Sequence, residues 1–179
     1  TGRLMLFAGD QKVEHMNDDF VGPYELGEIP ADDADPEHMF RIASRSTIGV
    51  YATQIGMITH YGQDYADVPY LVKLNSRTNL VKMDTMDPFS NLWLNVDSVA
   101  ALKRESGLKI GGVGYTIYLG STYEAEMLRQ AARLISDAHQ HGLLVVLWIY
   151  PRGKGVADEK DPHLIAGATG VALTLGADF

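Results

Sequence analysis

Cysteine is absent from the 179 residues, which excludes a disulfide framework and thiolate chemistry. Positive charge is scarce: 15 Lys and Arg face 23 Asp and Glu, for a net charge of −8. That balance argues against nucleic acid or an anionic membrane as partner, since both select a basic face. It leaves room for a small phosphorylated ligand held by a local Lys/Arg pocket. Long apolar runs are missing too. The longest, at 143–150, is far short of the ~20 residues that a spanning helix needs.

Metal and nucleotide signatures are equally thin. His15, His38, His60, His139, His141 and His163 form no HxxxH or HExxH, and residues two apart, as His139 and His141 are, do not share a helix face. No GxGxxG or GxxxxGK[ST] follows any strand, and no GxSxG occurs. The acidic run DDADPEH reads as a solvated loop leading into a helix cap rather than a cation site.

What is present is a globular composition, 46% apolar and 21% charged, in an alternating pattern. RLMLFAGD (3–10) reads as a strand, followed by a long acidic loop over 11–34. Asp35-Pro36-Glu37 opens a helix to about Arg45. Strands are expected at 48–54, 69–75, 110–120 and 143–153, with a turn or short helix at 57–65 and a second long loop at 76–95. Asp97 is expected to cap a helix ending at Gly107. Ser121-x-x-Glu124 has capping-box spacing, and Met127, Leu128, Ala131, Leu134, Ile135 and Ala138 then mark one buried helix face up to His141 and Gly142. Asp161-Pro162 starts a last helix, which stops at Gly176; Ala177-Asp178-Phe179 then approaches a sixth strand.

Strand and helix in strict alternation imply a parallel sheet covered by helices. Two architectures fit. One is a five-stranded doubly wound domain. The other is a (β/α)₈ TIM barrel of which about five and a half βα units are present; complete barrels take ~250 residues. Long loops after the first and third strands, and polar groups at strand ends, favour the barrel. Residues 1–179 are then a single, incomplete domain.

Chemistry gathers at those strand ends. Asp10 follows Leu4, Leu6 and Ala8 on one face; Lys73 shares a face with Leu71 and Asn75; Trp148, Tyr150 and Arg152 alternate at the end of LLVVLWIYPRG. Each has a bland reading. Asp10 can cap its loop or pair with Lys73, Trp148 can be core, and Tyr150 and Arg152 can shape the turn around Pro151. Together on one end of a parallel sheet they suggest a binding site without naming a reaction.

The segments LMLFAGDQKVEH, VPYLVKLN, GVGYTIYLGS, VVLWIYPRGK and DEKDPHLIA together resemble the archaeal-type class I fructose-bisphosphate aldolases of the DhnA family, over essentially the whole chain. The resemblance implies a TIM barrel that reversibly cleaves fructose 1,6-bisphosphate to dihydroxyacetone phosphate and glyceraldehyde 3-phosphate. It implies a lysine Schiff base, with no metal or other cofactor. By the same resemblance Tyr150 and Asp10 are catalytic, the tyrosine as acid/base, while Trp148, Arg152 and Lys73 bind substrate. A cytoplasmic homo-oligomer in glycolysis and gluconeogenesis is also implied, with a phosphorylated sugar as its partner and neither nucleic acid nor membrane.

The family's Schiff-base lysine follows a GAD segment on strand six, and is expected just beyond Phe179; Lys73 is not promoted in its place. The chain opens on Thr1 and stops at GADF, so it is read as part of a longer protein, inactive and unstable alone because open strand edges would be exposed. Two other readings stand beside the aldolase. One is a family relative making an aminodideoxy sugar acid or using another phosphorylated ketose. The other is a noncatalytic sugar-phosphate-binding barrel.

Overall fold

The computed structural model describes residues 3–10, 13, 22–25, 27–78 and 86–179. Parts of both long loops, including Lys12, His15 and residues 79–85, lie outside the described residues.

Nine strands and five α-helices follow one another along the described chain: β1 Leu6–Ala8, β2 Pro23–Tyr24, β3 Gly27–Glu28, α1 His38–Arg45, β4 Val50–Gln54, α2 Ile55–Tyr61, β5 Tyr70–Lys73, β6 Asn75–Ser76, β7 Asn91–Leu92, α3 Val96–Ser106, β8 Ile110–Leu119, α4 Glu124–Gln140, β9 Leu144–Pro151 and α5 Pro162–Leu175. Strands β2 and β3 pair antiparallel within the first long loop, and β6 and β7 bracket the second. The first sheet strand is thus shorter than the 3–10 expected, and the loops carry more structure.

The main sheet has the order β1-β4-β5-β8-β9, and every pairing is parallel. This order separates the two architectures. A doubly wound sheet reverses direction partway, so that helices cover both faces. Here each strand adds to the edge left by the one before it. Right-handed crossovers then deliver every helix to the same face. The other face must be covered by the sheet curling on itself, which is the barrel solution. The chain forms part of a TIM barrel.

Side-chain alternation divides the core accordingly. Tyr51, Tyr70, Val72, Val113, Tyr115 and Val145 face the helices, where they meet Phe40, Ile58, Val99, Met127 and Ala131. Val50, Ala52, Leu71 and Val146 form a smaller inner cluster with Leu4, Leu6 and Trp148. Gly114, on β8, lets the inner face close: a Cβ there would run into the Trp148 ring and Leu71 Cδ2.

Local signals are satisfied with two changes. Asn95, not Asp97, caps α3: its Oδ1 accepts from Ser98 N at 2.9 Å, while Asp97 lies in the first turn and pairs with His141 at 3.0 Å. Two adjacent candidates offered similar chemistry, and the extended backbone fell at Asn95 (φ −84°, ψ 163°). The Ser121/Glu124 pair is used one step out of register. Ser121 Oγ accepts from Tyr123 N, and Glu124 reaches back to Gly120 N rather than to Ser121.

The last two residues already bond to the β9 edge of the sheet. Phe179 N donates to Val145 O (3.3 Å) and Leu147 N to Phe179 O (3.0 Å), the two bonds that flank a parallel partner of Val146. The approach to a sixth strand is borne out. Among the described residues no helix is long and apolar enough to cross a membrane.

Candidate active site

At the C-terminal ends of the sheet strands, three of the five sequence-picked side chains, Asp10, Lys73 and Trp148, lie in linked contacts, and the other two, Tyr150 and Arg152, contact each other. Gly9 N donates to Ala52 O (2.8 Å) and Thr53 Oγ1 to Gly9 O (3.1 Å), which ties the Gly9-Asp10 segment onto β4. Asp10 and Lys73 then project from adjoining parts of the inner face. Lys73 Nζ is 3.2 Å from Asp10 Oδ2, with the two side chains 1% and 5% exposed. The ammonium also donates to Thr116 Oγ1 at 2.7 Å and stands 4.1 Å from the Trp148 ring centroid. A carboxylate, a hydroxyl and an aromatic face therefore surround one buried cation. That is the set a charge needs when water is withdrawn.

One turn of alternation beyond Trp148, the Tyr150 ring stacks on Tyr118, its partner in register on β8, with centroids 5.9 Å apart. Arg152 N continues the strand by donating to Leu119 O at 2.8 Å. The Arg152 guanidinium lies 5.5 Å from the Tyr150 ring and turns to the following loop, where Glu159 accepts two bonds at 2.9 and 2.7 Å. Those bonds, against partial burial, hold the guanidinium still more firmly protonated than usual. Arg152 thus contacts Tyr150 and is partly exposed, 42% open.

On the helix side of the sheet, burial pushes the Tyr51 phenol up to about 12, opposed by its contact with Thr53 and reinforced by the Asp10 charge, so it stays neutral at physiological pH.

Four supporting residues had escaped the sequence reading or appeared there only as neighbours. Thr116 has the strand parity of Tyr118 and could have been found by alternation along β8. Asn75 uses its side-chain amide as a second backbone, accepting from Thr116 N (2.7 Å) and donating to Thr116 O (2.8 Å), so the β5–β8 pairing persists past Lys73. Asp87, 8% exposed, clasps two loops: Oδ2 accepts from Thr122 N (3.0 Å) and from the Thr122 hydroxyl, and Oδ1 from Lys154 N (2.8 Å). The Thr122 hydroxyl and N–H, followed by the Lys154 N–H, hold its carboxyl below the ordinary range. Glu159 stood in the DEKDPHLIA segment, but nothing in that charged loop paired it with Arg152. Among the described residues, no three His, Asp or Glu side chains converge as a metal site.

Comparison with known proteins decides the family. The model for "DeoC/LacD family aldolase" matches residues 4–179. The chain belongs to the DeoC/LacD aldolase family. It is similar to the fructose-bisphosphate aldolase/6-deoxy-5-ketofructose 1-phosphate synthase of Methanocaldococcus jannaschii, 60% identical over 179 residues, which are all of this chain and 56% of the relative. Among solved structures, a fructose-bisphosphate aldolase from Slackia heliotrinireducens superposes with a TM-score of 0.92 at 57% identity, covering 100% of this chain and 55% of that one. An archaeal fructose-1,6-bisphosphate aldolase, solved with its catalytic lysine bound covalently to the carbinolamine intermediate of the substrate, gives 0.78 at 31% identity over 99% of this chain and 63% of that one. The DeoC/LacD chain therefore spans about 55–63% of the length of these relatives. The family resemblance read from its motifs is borne out.

Proposed function

We propose that the protein carrying this chain is a class I fructose-1,6-bisphosphate aldolase, forming a Schiff base and cleaving its substrate to dihydroxyacetone phosphate and glyceraldehyde 3-phosphate. The observation that carries this is the likeness to an aldolase solved with its lysine joined to substrate, over 99% of this chain. Residues 1–179 are then part of one barrel domain, and the nucleophilic lysine follows Phe179. The Val146–Phe179 pairing supports that position, because alternation on a continuing strand would next meet Trp148 and then Tyr150.

In this reading the lysine amine adds to the C2 carbonyl, and the carbinolamine loses water to leave an iminium. Tyr150 removes the proton from the C4 hydroxyl. The C3–C4 electron pair moves to the iminium nitrogen as the enamine forms, and the three-carbon aldehyde leaves. Protonation at C3 and hydrolysis release dihydroxyacetone phosphate and restore the amine. Asp10 faces the substrate hydroxyls, with Lys73 fixing its carboxylate from behind. Trp148 forms a wall of the pocket, and Arg152 holds a phosphate. A cytoplasmic homo-oligomer is part of the same proposal, tested by cell fractionation and light scattering.

The test is borohydride reduction of the full-length protein with dihydroxyacetone phosphate, followed by peptide mass analysis. A lysine adduct beyond Phe179 supports the reading; no adduct, or an adduct on Lys73, overturns it. The name of the Methanocaldococcus relative motivates a second reading, synthesis of a deoxyketose phosphate. Turnover of a panel of phosphorylated ketoses and aldehydes separates the two.

A further inference from the structure

Gln54 ends β4, and its surroundings leave one group unexplained. Val50 and Ala52, four and two residues earlier, belong to the inner cluster, so alternation carries the Gln54 side chain to the same face. Its register partner on β5 is Lys73. It therefore stands at the C-terminal rim, beside the Asp10–Lys73 pair, where barrel enzymes hold substrate.

The Gln54 Nε2 atom is buried and has no hydrogen-bond partner among the described residues. The nearby Lys73 ammonium is itself a donor and cannot serve it, and no bond joins the amide to the Asp10 carboxylate, whose Oδ2 faces Lys73. Gln54 precedes α2 directly, yet its side chain makes no capping bond. An unpaired buried amide is costly, and an apolar side chain of similar shape would remove that cost. Among the described residues the one other atom of this kind is Ser90 Oγ, on a residue whose carbonyl accepts from Asn75 Nδ2 (2.9 Å) and Tyr115 OH (3.5 Å) rather than on a sheet strand.

We propose that Gln54 is a substrate-binding residue, its amide donating to a hydroxyl oxygen of the sugar phosphate and so contributing to the choice of ketose. The inference rests on the aldolase reading above. A neutral amide suits a hydroxyl, leaving the dianionic phosphate to Arg152. A rim amide without a partner also discriminates by omission, since a substrate lacking the hydroxyl leaves it unpaired.

The experiment uses the full-length enzyme and Gln54→Leu. We expect the melting temperature to hold or rise, because a costly unpaired donor is gone. We expect kcat/KM for fructose 1,6-bisphosphate to fall roughly 10- to 100-fold, the scale of one buried hydrogen bond. With 3-deoxy and 5-deoxy analogues, one analogue should be handled almost equally by both proteins, because its missing hydroxyl is the one Gln54 contacts. Unchanged kcat/KM overturns the inference. So does a melting temperature lowered by several degrees, which would assign Gln54 a structural partner, or an equal loss on every analogue. Wild-type enzyme that neither cleaves the bisphosphate nor traps an adduct would remove the aldolase reading first, and this inference with it.

Discussion

Lys73 Nζ sits 3.2 Å from Asp10 Oδ2 with neither side chain more than 5% exposed. The ammonium neutralises a carboxylate that has little access to water. Removing one partner strands the other. Lys73→Met in the full-length protein should cost about 3–5 kcal/mol of stability, and adding Asp10→Asn should restore part of it. Denaturant unfolding of both singles and the double decides the point; additive losses would mean the two charges are not coupled.

Gly114 gives its volume to Trp148. Gly114→Ala should cost about 1–3 kcal/mol through overpacking. It should also shift the tryptophan emission, since the ring must leave the Lys73 ammonium. An unchanged spectrum and melting point would show that the inner face yields easily.

Arg152 and Glu159 form a two-bond pair that is nearly half exposed. Such a pair is weak, and in the proposed aldolase a phosphate dianion would take the place of the glutamate. Glu159→Gln should lower KM for phosphorylated substrate by about two- to fivefold, matching the small worth of exposed pairs. A raised KM would instead make Glu159 the orienter of the guanidinium.

Asp87 joins the loop before β7 to the loops after β8 and β9. Its folded carboxyl titrates below the ordinary value, so it stabilises the clasp above that value and the contribution is lost as pH falls through the folded one. Hydrogen exchange at the Thr122 and Lys154 amides, corrected for intrinsic rates, should lose protection as the solution is taken below about pH 4. Asp87→Asn should show lower protection already at neutral pH. Protection that ignores both changes would detach Asp87 from the loops.

Much of this arrangement could be read from residue order. Alternation along VVLWIYPR put Trp148 and Tyr150 on one face, and Gly107, Gly142 and Gly176 stand where their helices end, each with positive φ. Tertiary pairing could not be read. The Lys73–Asp10 contact was one of two open readings, and nothing near Lys73 in sequence announced Thr116, 43 residues away. Asn95 and Asp97 differ too little in capping strength for sequence to rank them. The choice between barrel and doubly wound sheet is a matter of strand order, which local pattern does not encode. Gln54 went unnoticed because a glutamine before a helix reads as ordinary punctuation.

The unreversed order β1-β4-β5-β8-β9 has a consequence for synthesis. Each new strand finds its partner in the segment translated just before it, so a nascent chain can assemble in the sequence in which it emerges. Such local pairing shortens the search that parallel sheets otherwise impose. It also leaves one growing edge open at every stage, ready to accept the wrong strand from a neighbouring ribosome. Only the meeting of the last strand with β1 ends that exposure, which makes ring closure the step most sensitive to crowding and delay.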